Sequence, residues 1–128
     1  LVIEKAEDAH PIGAVIYREM DWKNRHVAIE VIIGDEAARR QGHGGESFYA
    51  ATEYAFCELN AHKIFCYVYS FNEASLKLVR MGGLHEDVIL RKSVFRNGAF
   101  HDNIIFSLLD REFPKLAKKA GMAKKLGL

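Results

Sequence analysis

The sequence predicts an α/β fold in which a mixed, mostly antiparallel twisted sheet carries a central parallel pair. Three observations support it. β-branched apolar runs recur along the chain, and Val27 to Ile33 and Ile64 to Tyr69 are the clearest. Between those two runs the spacing of Phe48, Ala51, Thr52, Ala55, Phe56 and Leu59 is helical. A strand–helix–strand step makes its two strands parallel, whereas turn signals near both ends of the chain demand antiparallel hairpins.

Each element follows from local chemistry. Leu1 to Ala6 reads as a strand, Asp8 to His10 as a turn, and Ile12 to Met20 as the returning strand. Asp21 to Arg25 supply a polar turn into the third strand, which Gly34-Asp35 breaks. A helix runs from about Gly44 to Leu59, followed by a short link at Asn60 to His62. The fourth strand, Ile64 to Tyr69, is almost wholly apolar or aromatic, which predicts burial on both faces. Asn72 reads as a helix cap, with Ala74, Ser75, Leu76, Leu78 and Val79 forming a short helix that Gly82-Gly83 ends. Two last strands, about Val88 to Phe95 and Asn103 to Leu109, flank Arg96-Asn97-Gly98, and Asn-Gly is a strong hairpin signal.

Composition narrows the class. A chain of 128 residues suits one domain, read as residues 1–113 with a basic helical tail over 114–128. Hydrophobic residues at 49% and charged ones at 27% argue against disorder, and no apolar run approaches the roughly 20 residues of a membrane span. Leu1-Val2-Ile3 is cut short by Glu4 and Lys5, unlike a signal peptide, so a cytoplasmic location is expected. A net charge of +1 gives no general pull toward nucleic acid or acidic membranes. From Lys115 to Leu128, however, there are five lysines and no acid, interleaved with Leu116, Met122, Leu126 and Leu128. A partner-binding amphipathic helix fits that pattern, and a solvated terminal helix fits it more simply. Cys57 and Cys66 are expected as buried, reduced thiols, and the six histidines show no metal-ligand spacing.

The richest stretch is Arg39-Arg40-Gln41-Gly42-His43-Gly44-Gly45, which directly follows a strand and directly precedes a helix. Glycines there let backbone N–H groups approach a ligand, and the helix start adds roughly half a positive charge. A phosphate or pyrophosphate is the natural occupant, although many α/β proteins use such a turn only to reverse the chain. No Lys-Ser or Lys-Thr follows the glycines, as a P-loop requires, and Ser47 stands where a dinucleotide fingerprint needs its third glycine. Positions 62 to 68 also lack the acid that would hold a ribose.

Residues 33 to 44, Ile-Gly-Asp-Glu-Ala-Ala-Arg-Arg-Gln-Gly-His-Gly, resemble the coenzyme A motif of the GNAT superfamily of N-acetyltransferases, whose Gln/Arg-x-x-Gly-x-Gly/Ala core is met by Arg39, Gly42 and Gly44. Asn72-x-x-Ser75 followed by Gly83-Leu84 resembles the family's Asn-x-x-Ser helix and terminal Gly-Phe, with Leu for Phe. Arg91 to Leu109, with Asn97-Gly98 and Asp102, is similar to the branch of ribosomal-protein N-terminal acetyltransferases and amino-sugar acetyltransferases. The resemblance implies a GNAT-like sheet splayed at an acetyl-CoA site. It puts the pantetheine arm on the backbone of Val31, Ile32 and Ile33, the pyrophosphate on the amides of Arg39, Arg40, Gln41, Gly42, His43, Gly44 and Gly45, and Asn72 near the reactive end.

The chemistry implied is direct acyl transfer from acetyl-CoA, without a metal, to a primary amine on a protein N-terminus, a small molecule or an amino sugar. A neutral amine attacks the thioester carbonyl, so a backbone donor must meet the developing oxyanion, and the resemblance gives that task to the amide of Ile32 or Ile33. A base is also required, because an alkylammonium of pKa near 10.4 is mostly protonated at neutral pH. The family's tyrosine acid falls here on Val79, and its glutamate base positions fall on Ala28 and Tyr67. Glu30 shares a strand face with Ala28 by alternation and is the best candidate base, with an ion-paired structural role as its competitor; His26 and Tyr69 are weaker candidates. His101-Asp102 is expected to shape an acceptor pocket or fix a turn.

Family members usually open with another strand and one or two helices, whereas Leu1 matches their second strand, so an open acceptor cleft and no helix within residues 1 to 30 are expected. The main competing reading is a coenzyme A binding or interaction module that has lost catalysis, and a homodimer is compatible with both. An RNA or ribosome accessory role would rest on Lys115 to Lys125 alone.

Overall fold

The computed structural model describes residues 1–113, and the expected helix over 114–128 lies outside them. The chain divides into two compact units, Leu1–His62 and one that begins at Lys63. All strand pairings within each unit are antiparallel.

The first unit contains strands β1 (Val2–Glu4), β2 (Pro11–Asp21) and β3 (His26–Ile33) and helix α1 (His43–Cys57). Its first 30 residues hold strands and no helix. Asp8 closes the β1–β2 turn by accepting the His10 N–H at 3.0 Å. Register places Val15 opposite Val31 and Tyr17 opposite Ile29, so their side chains share one face with Val27. α1 covers that face: Val15, Val27 and Ile29 are buried together with Tyr49, Ala51, Thr52 and Ala55, and the Tyr17 hydroxyl donates to the Ala51 carbonyl at 2.8 Å. Burial, with Tyr54 nearby, pushes the Tyr17 phenol up to about 12. At the β2–β3 turn, Asp21 accepts from the Asn24 N–H and Nδ2 at 2.8 Å each. Arg25, at φ 59°, then donates Nε to the Asn60 carbonyl at 2.8 Å, clasping the turn to the link after α1.

The second unit contains β4 (Lys63–Tyr69), α2 (Glu73–Met81), β5 (His85–Arg96) and β6 (Ala99–Leu109), with β6 paired to both β4 and β5. Ile64, Cys66 and Val68 of β4 join Ile104, Phe106 and Leu108 of β6 in its core. The expectation that β4 is buried on both faces fails, because Tyr67 and Tyr69 on its other face are 42% and 41% exposed. Aromatic rings with polar tips tolerate that half-wet position, and their apolar bodies made the run look fully buried. Burial pushes the Cys66 thiol up to about 12. Cys57 departs from expectation and is exposed, since it stands two residues, about 200° around the helix, from buried Ala55.

Helix α2 shows both of its sequence signals at work. The Asn72 side chain accepts the Ser75 N–H at 3.2 Å as the N-cap. At the other end Gly83 sits at φ 73°, its N–H reaches the Arg80 carbonyl at 3.1 Å, and Leu84 N–H reaches Val79 at 3.0 Å. This is a Schellman closure with its apolar contact, and Val79 and Leu84 are both buried. The β5–β6 hairpin is longer than predicted because Asn97 and Gly98, at φ 51° and 76°, make a two-residue turn that lets pairing run up to it.

Candidate active site

The end of β3 is fixed by Gly34 and Asp35, whose N–H groups both donate to the Ile12 carbonyl, at 2.9 and 3.1 Å. Because Gly34 bonds Ile12, antiparallel alternation makes Ala14–Ile32 a hydrogen-bonded pair and Gly13–Ile33 an unbonded one. The amide and carbonyl of Ile33, and likewise of Val31, therefore turn away from β2. Arg39 confirms this for Ile33 by donating Nε to its carbonyl at 3.1 Å. Of the two oxyanion donors the resemblance allowed, Ile32 has its N–H directed at β2, and Ile33 has its N–H directed elsewhere.

Beyond β3, Asp35 accepts the Ala37 N–H at 2.9 Å and starts a single 3-10 turn over Glu36–Ala38. Buried Ala38 anchors that turn, and Gln41 holds it from above by donating to the Ala37 carbonyl at 2.6 Å. Arg40, at φ 62°, and Gly42, at φ 85° and ψ −2°, then bend the chain into α1. Gly42 is the N-cap and offers no side-chain acceptor. The amides of His43, Gly44 and Gly45 have no intrahelical acceptor by helix geometry, so the first turn presents N–H donors along with the positive end of the helix dipole. A Cβ at Gly42 would meet nothing within 4 Å, and one at Gly44 only Ile33 Cγ1 at 4.0 Å. Open space above an uncapped helix start, with Arg39 and Arg40 exposed beside it, fits a phosphate-bearing group.

The other predicted residues fall as follows. Glu30 Oε2 lies 2.9 Å from Arg18 on β2, its diagonal cross-strand neighbour. Sequence reading overlooked Arg18; pairing β2 with β3 through the turn at Asp21 would have revealed it. Ala28 and Val79, the positions where the family's base and acid would fall, are buried at 4% and 3% exposure. His26 sits near Asp21 at 3.8 Å, and Tyr69 stacks against Phe71 at 5.4 Å. Asp102 accepts the Lys92 N–H of β5 at 3.0 Å and, through its carbonyl, the Ser70 N–H at 3.0 Å. The His101 ring packs on Phe71 at 4.9 Å. Among the described residues no three His, Cys, Asp or Glu gather to hold a metal, and no helix is long and apolar enough to cross a membrane.

Residues 1–85 match the model of the acetyltransferase (GNAT) domain. The chain is 35% identical over 106 residues to the SPbeta prophage-derived uncharacterized N-acetyltransferase YokL of Bacillus subtilis, a match covering 83% of this chain and 59% of YokL. Among solved structures it is similar to mutant forms of the spermidine/spermine N-acetyltransferase SpeG from Vibrio cholerae, at 26% identity and a TM-score of 0.82, covering 89% of this chain and 68% of that one. A dodecameric structure of spermidine N-acetyltransferase from Vibrio cholerae gives 27% identity and a TM-score of 0.81, covering 88% and 64%. The fold class these structures share with the chain is the predicted one, mixed α/β and mostly antiparallel. The chain belongs to the GNAT acetyltransferase family. It spans about 60% of the length of the curated relatives it matches.

Proposed function

We propose that this chain binds acetyl-CoA and serves transfer of its acetyl group to a primary amine, as part of an acetyl-CoA-dependent N-acetyltransferase. The observation that carries the reading is the helix α1 start, where left-handed Gly42 caps without a side chain and leaves the amides of His43, Gly44 and Gly45 for the pyrophosphate. Arg39, Arg40 and Gln41 border that group, and the backbone of Val31, Ile32 and Ile33 aligns the pantetheine arm. When bound, acetyl-CoA supplies an activated acetyl group. The Ile33 N–H, turned away from β2, donates to the negative charge that develops on the acetyl oxygen. Glu30 receives the acceptor's proton, directly or through water, with Arg18 fixing its carboxylate. Asn72 keeps its cap role, and its contact with the cofactor rests on the family resemblance.

The acceptor is a protein N-terminus or a small amine such as an amino sugar, on the likeness of the hairpin region to the ribosomal-protein and amino-sugar branch. The spermidine named for the neighbouring structures widens that class to polyamines. A cytoplasmic location and a domain ending near residue 113 belong to the same reading, and the dodecamer of a neighbour supports self-association, with a homodimer as its smallest form. A second reading, a coenzyme A binding module without catalysis, draws on buried Ala28 and Val79 in place of the family's base and acid.

Titration calorimetry with acetyl-CoA is expected to give a dissociation constant within the range of about 1 μM to 1 mM common to substrates. Absence of binding sinks both readings. Thiol release over a panel of amines separates them, and Glu30→Gln is expected to lower turnover at least ~100-fold while acetyl-CoA affinity stays unchanged. Unaltered turnover would remove Glu30 as the base.

A further inference from the structure

We propose that Asn103 binds the amino group of the acceptor, and that the acceptor is a monoamine with an apolar stem. The inference rests on the transfer to a primary amine proposed above and narrows its substrate class. On β6 the side chains of Ile104, Phe106 and Leu108 enter the core of the second unit, so by alternation Asn103 and Ile105 belong to the opposite face. Register sets Asn103 between Tyr69 of β4 and Leu90 of β5, and Ile105 between Tyr67 and Val88. Residues opposite one another share a face, and these four neighbours are 41% to 45% exposed. Asn103 Oδ1 is recessed among them: it is buried and accepts no hydrogen bond from any described residue. Buried acceptors are nearly always satisfied, so this oxygen calls for a donor that comes from outside the chain.

The surroundings select that donor. Tyr69 packs on Phe71 at 5.4 Å and Phe71 on His101 at 4.9 Å, so a run of aromatic rings borders the Asn103 end of the face. Ring faces and an amide oxygen both present negative potential, which favours an ammonium N–H over a neutral hydroxyl. Once the ammonium has given up its proton, the amine still has N–H to donate, so the same contact survives into the attacking form. Acetyl-CoA is assigned to backbone groups of the first unit, which leaves the amine as the substrate for this oxygen. Leu90, Ile105 and Val88 continue the face as apolar surface, suited to a hydrocarbon stem and not to the hydroxyls of an amino sugar. Arg96 already stands over the Phe71 ring at 5.0 Å, so the second ammonium of a polyamine would meet like charge there.

Magnetic resonance of the full chain, isotope-labelled at asparagine side chains, tests this without turnover. The Asn103 amide signal, identified by its loss in Asn103→Leu, should shift saturably as phenethylamine is added to about 10 mM, beyond the common range of KM. Spermidine and glucosamine should each bind at least ~10-fold more weakly. In a thiol-release assay Asn103→Leu should raise the KM for phenethylamine at least ~10-fold while acetyl-CoA affinity stays unchanged. The same variant should melt at the wild-type temperature or above, because an unpaired buried oxygen gives way to an apolar group of similar volume. Asn103→Asp keeps an acceptor oxygen and should hold KM within about threefold of wild type. No saturable shift, equal binding of the three amines, an unaltered KM in Asn103→Leu or a lower melting temperature for it overturns the proposal. Turnover of phenethylamine without the shift removes this site and leaves acetyl transfer standing, whereas the shift without turnover counts against transfer and leaves amine binding at Asn103 standing.

Discussion

Gly44→Asp is expected to lower acetyl-CoA affinity at least ~100-fold while leaving the fold as stable as before, or more so. Gly44 is the second residue of α1, where a new Cβ meets only Ile33 Cγ1 at 4.0 Å. An aspartate there has better helix propensity than glycine, and its charge complements the helix dipole, together worth about 0.5–1 kcal/mol of stabilisation. The same carboxylate would sit among the amides assigned to the pyrophosphate, and each tenfold of affinity corresponds to about 1.4 kcal/mol. Thermal melts and calorimetry on one preparation read the two effects independently. Retained affinity would mean that the anion does not bind at this helix end, whatever the loop resembles.

Gly13→Ala is expected to damage the fold itself, by about 3 kcal/mol and a melting temperature lower by roughly 10 °C. A Cβ at Gly13 would fall on the Ile32 carbonyl oxygen, with the Ile32 carbonyl carbon and Ile33 Cα each at 3.1 Å. All three are backbone atoms, so no rotamer change relieves the contact and β2 must move away from β3. Since that displaces Ile32 and Ile33, acetyl-CoA binding should weaken in parallel. Gly34→Ala is the matched control: its Cβ would meet nothing nearer than the Ile12 carbonyl oxygen at 4.0 Å, and a change within about 0.5 kcal/mol is expected. Equal stability of the two variants in urea titrations would contradict the close approach of β2 and β3.

These two glycines show what the residues revealed and what they withheld. Gly44 was legible because it belongs to a local pattern, strand then glycines then helix, and the loop needs no distant partner to take its shape. The same holds for Asn72 and Gly83, whose cap and Schellman closure lie within one turn of the residues that signal them. Gly13 carried no local signal, because its significance lies in the register that brings Ile33 opposite. Glu30 lies between these cases. Alternation gave its face correctly, while its ion pair with Arg18 depended on a cross-strand diagonal. Tyr67 and Tyr69 misled for a different reason, since an aromatic ring counts as apolar in a periodicity whether or not its hydroxyl meets water. The choice of Ile33 over Ile32 as donor likewise required hydrogen-bond parity, which sequence does not carry.

The two glycines that follow His43 have a dynamic consequence. Glycine keeps more backbone freedom than any other residue, so the first turn of α1 gives up the most entropy on becoming helical and gains no cap in return. Without an anion, the amides of residues 43 to 46 should exchange with solvent faster than those around buried Ala51 and Ala55. A bound pyrophosphate would slow them, and hydrogen-exchange mass spectrometry would register the difference. Part of the binding free energy would then go into ordering the helix start, and the affinity of this loop for an anion would be lower by that amount.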